Sequence, residues 1–376
     1  MDTLNQAIAE SKNGIGKSTQ QKQNSAWNKW QKFITRANLG GCLLERKTRL
    51  EQNGIVAAFA YAIRHNQFGS TTQTTLRGET VRATIAQVAK TFRTHGVADP
   101  SIDASGRRYF VIERLLKGFT DDDPAITRQP ALPLVVFRSL LHNATSELDK
   151  AVGALAGGAL FFGMRSCEYL TVPGQKHRRT KKLRLRNIVF RKNGRTINQH
   201  AALEKLSSAQ TVSITFENQK NGEKMETVTQ FRTDIDICPV RMWATTVHRI
   251  RSYPDSTSST PIDAFRTNNK TFAISGDVMR TYLRRTVERI GPDRLGIKTS
   301  TVGTHSIRAS FAMMMLLNHV EDSILMKKGR WKSAAFLAYI RAQINAFGYD
   351  TSKRMVHKIS DNFYVIPQIT NIKLDS

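Results

Sequence analysis

Residues Gly303 to Arg341 read GTHSIRASFAMMMLLNHVEDSILMKKGRWKSAAFLAYIR, and this stretch gathers several groups that can handle a phosphodiester. The apolar run Phe311 to Leu317 predicts a buried helix, with Thr304 as a candidate N-cap in front of it. A spacing of three residues puts His305 and Arg308 side by side on the first turn, where both can face one ligand. The stretch therefore predicts an anion-binding helix end, although such a pair is also common as a solvated or capping pair.

Two further helical patterns follow in the same stretch. Val320 to Met326 predicts a second helix that ends at Lys327 to Arg330, and Trp331 to Arg341 predicts a third helix carrying Tyr339. A tyrosine hydroxyl attacks phosphorus only when its proton is removed and fixed cations meet the charge that develops. His305 could exchange that proton near neutral pH. Tyr339 is therefore a candidate nucleophile, with a half-buried core tyrosine as the alternative.

A second candidate group lies in LFFGMRSCEYL, residues Leu160 to Leu170. Arg165 and Glu168 stand three residues apart after an apolar, glycine-rich helical pattern, so the carboxylate could brace the guanidinium. An arginine fork can donate two parallel hydrogen bonds to the non-bridging oxygens of a phosphate. By itself the spacing would also suit a surface ion pair.

Taken together, four motifs resemble the tyrosine recombinase (phage-integrase) superfamily in order and spacing. They are G-M-R-x-x-E-Y-L, then H-x-x-R about 140 residues later, then G-R-W and Y-I-R. The resemblance spans Leu132 to Arg341. Within that superfamily the chain is most similar to integrases of eukaryotic mobile elements of the crypton and DIRS kind. This finer similarity rests on FENQKNG at Phe216 to Gly222, on Cys238 to Val240, and on the G-R-W-K-S-x-x-F-x-x-Y-I-R ending.

The resemblance implies a catalytic role for six residues. Arg165 and Arg308 would clamp the scissile phosphate, His305 would bond to it and assist proton transfer, and Tyr339 would be the nucleophile. Glu168 would support the arginines.

For the two remaining positions, the resemblance implies that Lys220 protonates the leaving 5′ oxygen and that Trp331 donates a hydrogen bond to the phosphate. An indole N–H can donate but cannot shuttle a proton. Tyr339 follows Trp331 by eight residues, which is one residue fewer than in the family pattern. Tyr349 and Tyr364 therefore stay as alternative nucleophiles.

The region around Lys220 predicts a β-hairpin. Thr211 to Phe216 and Met225 to Phe231 alternate as strands across a turn that contains Asn221-Gly222, a strong hairpin signal, and Leu183 to Phe190 alternates as a further strand. A lysine in such a turn is most often merely solvated.

The predicted fold is mainly α with a small antiparallel β-sheet. We predict a mobile polar tail at 1–25, a domain of four or five helices at 26–119, and an acidic, proline-containing linker at 120–133. The resemblance implies that the helical domain is a SAM-like core-binding domain that closes over DNA, and that 134–345 is a catalytic domain of the DNA breaking-rejoining fold. It also implies a protomer-docking role for 346–376, although packing on its own domain is an alternative.

The net charge of +27 on 376 residues, with a pI near 10.4, indicates a polyanionic partner. Double-stranded DNA is the leading candidate, while an anionic membrane surface or an assembly role would share the signature. A basic run before the predicted strands could contact phosphates, act as a nuclear import signal or form an exposed loop. Its cations are Lys176, Arg178, Arg179, Lys181 and Lys182, with His177 between them.

No apolar run approaches the roughly 20 residues of a membrane-spanning helix, so membrane insertion is not expected. Cys42, Cys167 and Cys238 have neither pairing parity nor metal-ligand spacing, so we expect no metal site. Their pattern predicts an intracellular, reducing location: the nucleus in a eukaryote, otherwise the cytoplasm or nucleoid.

These observations predict a site-specific DNA recombinase that works through a 3′-phosphotyrosyl intermediate, without metal or cofactor, in a tetramer assembled on DNA. Integration or excision of a mobile element is the implied role. A type IB topoisomerase or telomere resolvase would use the same residues. A domesticated, inactive DNA-binding derivative and a basic protein that packages nucleic acid are the remaining alternatives.

Overall fold

The computed structural model describes Thr3, Gln6 and residues 16–68, 75–174, 179–220 and 222–337. The chain divides into two compact units. The first consists of Met1–Thr127 and Gly174–Arg179, and the second of Arg128–Pro173 and Thr180–Ser376. The break after Thr127 lies inside the predicted linker at 120–133.

Four helices build the described part of the first unit: α1 (Lys17–Arg36), α2 (Arg49–Arg64), α3 (Gly78–Thr94) and α4 (Phe110–Asp121). A capping box begins α2, because the Thr48 hydroxyl accepts from the Glu51 N–H and the Glu51 carboxylate accepts from the Thr48 N–H. Trp30 is fully buried at the centre, edge-on to Phe59 at a centroid distance of 5.0 Å. Its indole N–H donates to the Cys42 carbonyl at 2.8 Å, so this tryptophan belongs to the core.

The predicted mobile tail at 1–25 is wrong for its last residues, because α1 begins at Lys17. Gln23 is buried and its amide donates to the Thr91 hydroxyl at 3.2 Å, while Ala26 packs into the core. Lysine and glutamine are good helix formers, and one satisfied amide lets this polar segment pack. The composition of the segment does not reveal that partner.

The second unit is also mainly helical, with α6 at its centre. Residues 151–160 of α6 are all buried, which makes it a core helix on every side. A Cβ on Gly158 would lie 2.9 Å from the Trp243 ring, so this glycine permits the close approach of α9. The helices are α5 (Leu134–His142), α6 (Glu147–Phe161), α7 (Ser166–Tyr169), α8 (Leu203–Ser207), α9 (Pro239–Arg251), α10 (Gly276–Ile290), α11 (Pro292–Leu295), α12 (His305–Leu317) and α13 (Asp322–Gly329).

An antiparallel sheet with strand order β2-β1-β3-β4 packs into the same core. Its strands are β1 (Ile188–Lys192), β2 (Arg195–Ile197), β3 (Thr211–Asn218) and β4 (Lys224–Phe231). The predicted β3–β4 hairpin is confirmed, with Ile214 opposite Val228. The strand predicted at Leu183 to Phe190 is instead interrupted by a 3₁₀ turn at Leu185–Asn187. Arg184 forms an isolated antiparallel bridge with Pro261, and the chain joins the four-stranded sheet from Ile188. A second hairpin, β5 (Ala264–Thr267) with β6 (Lys270–Ala273), was not predicted.

The segment that opens at Gly303 forms the first two helices predicted for it, α12 and α13. Helix α12 begins at His305, but Thr304 makes no side-chain capping bond. The Gln129 side-chain oxygen accepts from the His305 N–H at 2.8 Å instead. The third helix, predicted from Trp331, does not start there: residues 331–333 are not helical, and a short 3₁₀ turn follows at Ala334–Phe336. Tyr339, Tyr349 and Tyr364 lie outside the described residues.

Within the parts of the chain that the structure covers, no helix combines the length and the apolar character that crossing a bilayer requires.

Candidate catalytic site

The first pair of site residues, Arg165 and Glu168, stands at the N-terminal end of α7. The Arg165 main-chain N–H donates to Glu168 Oε2, and its guanidinium Nη1 donates to Oε1, both at 2.9 Å. The carboxylate is fully buried and the Arg165 side chain is 17% exposed. The predicted bracing contact is therefore present, and it is not a surface ion pair.

Arg308 lies one helical turn into α12 and is 1% exposed. Its Nη1 donates to the Gly163 carbonyl, and its Nη2 donates to the Gly329 carbonyl at 2.7 Å. The guanidinium carbon stands 4.0 Å from the centroid of the Trp331 ring, a cation–π contact. Arg308 is thus fixed between the segment before α7 and the end of α13.

Trp331 supports this arrangement with its ring. The ring stacks on Phe311 of α12 at 6.0 Å and 25°, and it also contacts Phe336. Its main-chain N–H donates to the Met326 carbonyl at 2.9 Å, which closes the end of α13. The described contact of Trp331 with the cluster is packing against Arg308, while donation to a phosphate stays a prediction.

His305 and Lys220 are the exposed members of the group. Burial against neighbouring protein atoms lowers the pKa of His305 although the ring keeps solvent contact, and the charges of Arg308, Lys220 and Arg165 lower it further. These three cations therefore lie close enough to act on one imidazole. Because its pKa lies below the ordinary value of 6.5, the ring is mainly neutral at neutral pH and can accept a proton.

The turn between β3 and β4 presents Lys220 to this group. The Gln219 N–H donates to the Glu223 carbonyl at 3.0 Å, and the Gly222 N–H donates to the Gln219 carbonyl at 3.1 Å. Gly222 has φ +88°, a left-handed value that glycine adopts without strain. The hairpin signal at Asn221-Gly222 thus located the turn correctly.

Sequence reasoning missed two buried polar residues of the site, Arg330 and Gln219. Arg330 Nη2 donates to Glu168 Oε2 at 2.6 Å, and its Nε donates to Gln219 Oε1 at 3.1 Å. Burial alone would raise the pKa of Glu168, but the charges of Arg330, Arg308 and Arg165 together hold it below its ordinary value. The G-R-W motif contains Arg330, but no local pattern indicates that this arginine is buried against Glu168 and Gln219.

The second unit thus brings together six of the seven side chains predicted for catalysis or support: Arg165, Glu168, Lys220, His305, Arg308 and Trp331. The seventh, Tyr339, lies outside the described residues.

The predicted DNA-contacting run is only partly described, since Lys176 and Arg178 fall outside the described residues. Arg179 and Lys181 are exposed. The Lys182 ammonium instead donates to Asp263 Oδ2 at 2.8 Å and to the Thr171 hydroxyl at 2.7 Å. The Lys182 ammonium thus serves a largely buried ion pair, so a structural role explains its position better than a phosphate contact does.

The arrangement suits an anion with several oxygens. Arg165 and Lys220 offer cationic donors that solvent can reach, and His305 is a neutral acid–base group beside them. Arg308 contributes charge from within the protein. Fixed cations can stabilise the charge that develops in a displacement at phosphorus, and a neutral imidazole can accept a proton there.

No protein-family model matches the chain, and no curated protein matches it. Among solved structures, it is similar to the Tn1549 transposon integrase (residues 82–397, bound to circular intermediate DNA), with 14% identity and a TM-score of 0.42 over 84% of this chain and 94% of that one. It is also similar to the XerH site-specific recombinase bound to difH, with 14% identity and a TM-score of 0.44 over 85% of this chain and 76% of that one. It is similar to XerA recombinase as well, with 13% identity and a TM-score of 0.37 over 90% of this chain and 99% of that one.

Proposed function

We propose that this protein is a tyrosine-type site-specific DNA recombinase, which cuts and rejoins DNA by phosphodiester transesterification. One observation carries the proposal: the guanidiniums of Arg165 and Arg308, far apart in sequence, reach the adjacent main-chain carbonyls of Arg330 and Gly329. Together with Lys220 they also lower the pKa of His305. Bulk basicity would not require these cations to meet at one acid–base group. A site for one phosphate explains their meeting.

In the proposed reaction, the Tyr339 oxygen attacks the scissile phosphorus and forms a 3′-phosphotyrosyl ester. The bond from phosphorus to the 5′ oxygen breaks, and Lys220 gives that oxygen a proton. His305, mainly neutral at neutral pH, takes the tyrosine proton, and Arg165 holds the non-bridging oxygens. The ester keeps the energy of the broken bond, so the freed 5′ hydroxyl can reverse the step without a nucleotide.

A different tyrosine in the site is a poor nucleophile. Tyr169 adjoins Glu168 in sequence and is fully buried. Burial first, and then the charge of Glu168, raise the pKa of its hydroxyl far above the ordinary value. The nucleophile must therefore come from another segment, in agreement with Tyr339.

The partner in this proposal is double-stranded DNA, supported by the net charge of +27. Strand exchange between two duplexes needs several active sites, so we propose a tetramer assembled on DNA. Integration or excision of a mobile element, of the crypton or DIRS kind, is the proposed biological role, carried out in the nucleus of a eukaryote or in the nucleoid region otherwise.

The test is a search for the covalent intermediate. The full chain is incubated with a pool of nicked duplexes of random sequence and resolved on a denaturing gel, together with Tyr339→Phe, Tyr349→Phe and Tyr364→Phe. The proposal expects an adduct with every protein except Tyr339→Phe. An adduct that persists in Tyr339→Phe and is lost in Tyr349→Phe or Tyr364→Phe would move the nucleophile to that tyrosine, and no adduct with any protein would contradict recombinase chemistry.

A second candidate is a DNA-binding derivative that has lost strand cleavage. Two observations favour it: Arg308 is 1% exposed and bonded to main-chain carbonyls, and the step from Trp331 to Tyr339 is eight residues. Such a protein would bind duplex DNA without forming an adduct. A type IB topoisomerase would form the adduct and relax supercoiled plasmid without exchanging strands between duplexes.

A further inference from the structure

Arg330 has an unusual backbone conformation for its residue type. It ends α13 with φ 57° and ψ 46°, in the left-handed helical region. Helix ends commonly use this conformation, but glycine or asparagine usually occupies it, because a larger side chain crowds its own backbone there. A non-glycine residue persists in such a conformation when the surrounding structure holds it there.

The contacts of the Arg330 side chain identify what holds it. Besides its bonds to Glu168 and Gln219, Nη1 donates to the Phe162 carbonyl at 2.9 Å. The guanidinium carbon lies 3.7 Å from the centroid of the Phe216 ring. Arg330 is 3% exposed, so these contacts, rather than solvent, surround it. One side chain thus joins α7, the segment before it and the β3–β4 hairpin.

Two of these partners adjoin residues of the proposed reaction. Glu168 uses Oε1 for the guanidinium of Arg165, while Oε2 receives Arg330. Gln219 precedes Lys220 in the turn. If Arg330 moved, both the carboxylate that orients Arg165 and the turn that presents Lys220 would lose a fixed partner.

We propose that Arg330 is a positioning residue, which orients Arg165 through Glu168 and Lys220 through Gln219 without touching the substrate. The inference rests on the proposed function, since positioning matters only if these groups act on a phosphodiester. It adds a role for the arginine of G-R-W that the family resemblance did not supply.

Charge gives a second reason for the arrangement. Glu168 is a fully buried carboxylate, and burial by itself favours its protonated form. Arg330 donates directly to this carboxylate and is one of the three arginines that oppose the tendency. Without Arg330, protonation of Glu168 becomes easier, and the neutral carboxyl holds Arg165 less firmly.

Three substitutions separate positioning from simple support of the backbone. Arg330→Gly removes the side chain and leaves a residue that suits left-handed backbone better than arginine does. If Arg330 only ended the helix, this variant would be as active as the wild type. Arg330→Met keeps much of the side-chain volume but removes the charge. Arg330→Lys keeps the charge on one nitrogen, without the planar fork of the guanidinium. Arg64→Met, which removes a buried arginine of the first unit, is the matched control.

The experiment measures the rate of covalent adduct formation on nicked duplex DNA from about pH 5 to 9, the dissociation constant for DNA, and the melting temperature. We expect Arg330→Gly and Arg330→Met to slow cleavage by about 100-fold, because misplaced catalytic groups cost rates of that order, with DNA affinity little changed. The acid limb of their pH–rate profile should move to higher pH, and Arg330→Lys should restore part of the rate. Arg64→Met should cleave at the wild-type rate after correction for the folded fraction.

Suppose that the wild type cleaves DNA, that folded Arg330→Gly is fully active, and that the acid limb of Arg330→Met does not move. These results would overturn the inference and leave the proposed function intact. Absence of cleavage by the wild type would overturn the proposed function itself, and the positioning role with it. A loss that follows the melting temperature alone, equal in Arg330→Met and Arg64→Met, would reduce Arg330 to a structural residue.

Discussion

Arg64 in the first unit and Arg165 in the second both bond to a carboxylate, but the two surroundings differ in charge. Arg64 Nη1 donates to Asp123 and to the Leu76 carbonyl, and Asp123 Oδ2 accepts from the Gly78 N–H at the start of α3. The Arg64–Asp123 pair thus ties the end of α2 and the segment after α4 to the beginning of α3, and the charge of Arg77 also acts on Asp123. The hydrogen bond from Arg64 is the main cause of the lowered pKa of Asp123.

Around Glu168, one fully buried carboxylate faces three arginines, Arg165, Arg308 and Arg330, while the charge of Glu226 also acts on Arg330. The described cluster has an excess of positive charge, which is costly unless an anion completes it. The Arg64–Asp123 pair ties segments of the first unit together, whereas the larger excess of positive charge around Glu168 would suit a negatively charged ligand.

The largest expected effect comes from removing the one carboxylate. Glu168→Gln should lower the free energy of unfolding by about 3–5 kcal/mol at pH 7, because it leaves buried arginines without their counter-charge. The pKa of Glu168 is lowered in the folded protein, so its charge stabilises the fold above the ordinary value of 4.5 and loses this effect as the pH falls below it. Urea unfolding at several pH values should show the loss shrinking below about pH 4.5.

Asp123→Asn is the matched substitution in the first unit. It should destabilise the protein less than Glu168→Gln and leave adduct formation unchanged in the folded protein. A larger loss for Asp123→Asn, or a loss for Glu168→Gln that does not depend on pH, would contradict the comparison.

The next effect concerns the support of Arg308. In Gly329→Ala, the new Cβ would lie 1.7 Å from the Trp331 ring, so the ring that supports Arg308 must shift. We expect cleavage to slow by about 100-fold with DNA binding retained. Gly118→Ala in α4 is the control, since its Cβ would meet no atom within 4 Å. Equal rates in the two variants would show that the position of Trp331 does not matter.

Two adjacent lysines should behave differently. Lys182→Met should lower the melting temperature, because it leaves the carboxylate of Asp263, 1% exposed, without its cation. Lys181→Met should leave the melting temperature unchanged, weaken DNA binding and reduce the salt slope of the affinity by about one. Thermal melting and DNA titrations over a range of salt concentrations check both. A reduced salt slope with unchanged melting for Lys182→Met would contradict the structural role.

The smallest effect is the pH dependence contributed by His305. Its pKa is lower in the folded protein than the unfolded value near 6.5, so the unfolded state binds more protons between the two values. The stability contributed by His305 is therefore complete above about pH 6.5 and is lost as the pH falls toward the folded pKa. His305→Gln should flatten this part of the stability profile, and an unchanged profile would show that Arg308, Lys220 and Arg165 do not act on the ring.

Local patterns predicted much of the fold. The apolar spacing of α1 to α4, the Asn221-Gly222 hairpin signal and the start of α12 at His305 depend on residues close in sequence. They could be predicted because helix periodicity and turn chemistry act over a few residues. The β5–β6 hairpin was missed, since its short strands carry little alternation.

The candidate site could be predicted only as a set of residues. Motif order identified Arg165, His305 and Arg308, but nothing local indicates that Arg308 would be buried against the Gly163 and Gly329 carbonyls. The role of Arg330 could not be predicted for the same reason, since its partners lie more than 100 residues away in sequence. Such contacts arise from tertiary packing.

The most direct test compares adduct formation by Arg165→Met with that by Arg64→Met, each corrected for the folded fraction, on the same nicked duplexes as the wild type. The account predicts that Arg64→Met forms the covalent DNA adduct at the wild-type rate and that Arg165→Met forms almost none. Equal adduct formation by the two variants, or none by the wild type, would contradict the claim that the charge excess around Glu168 serves a DNA phosphate.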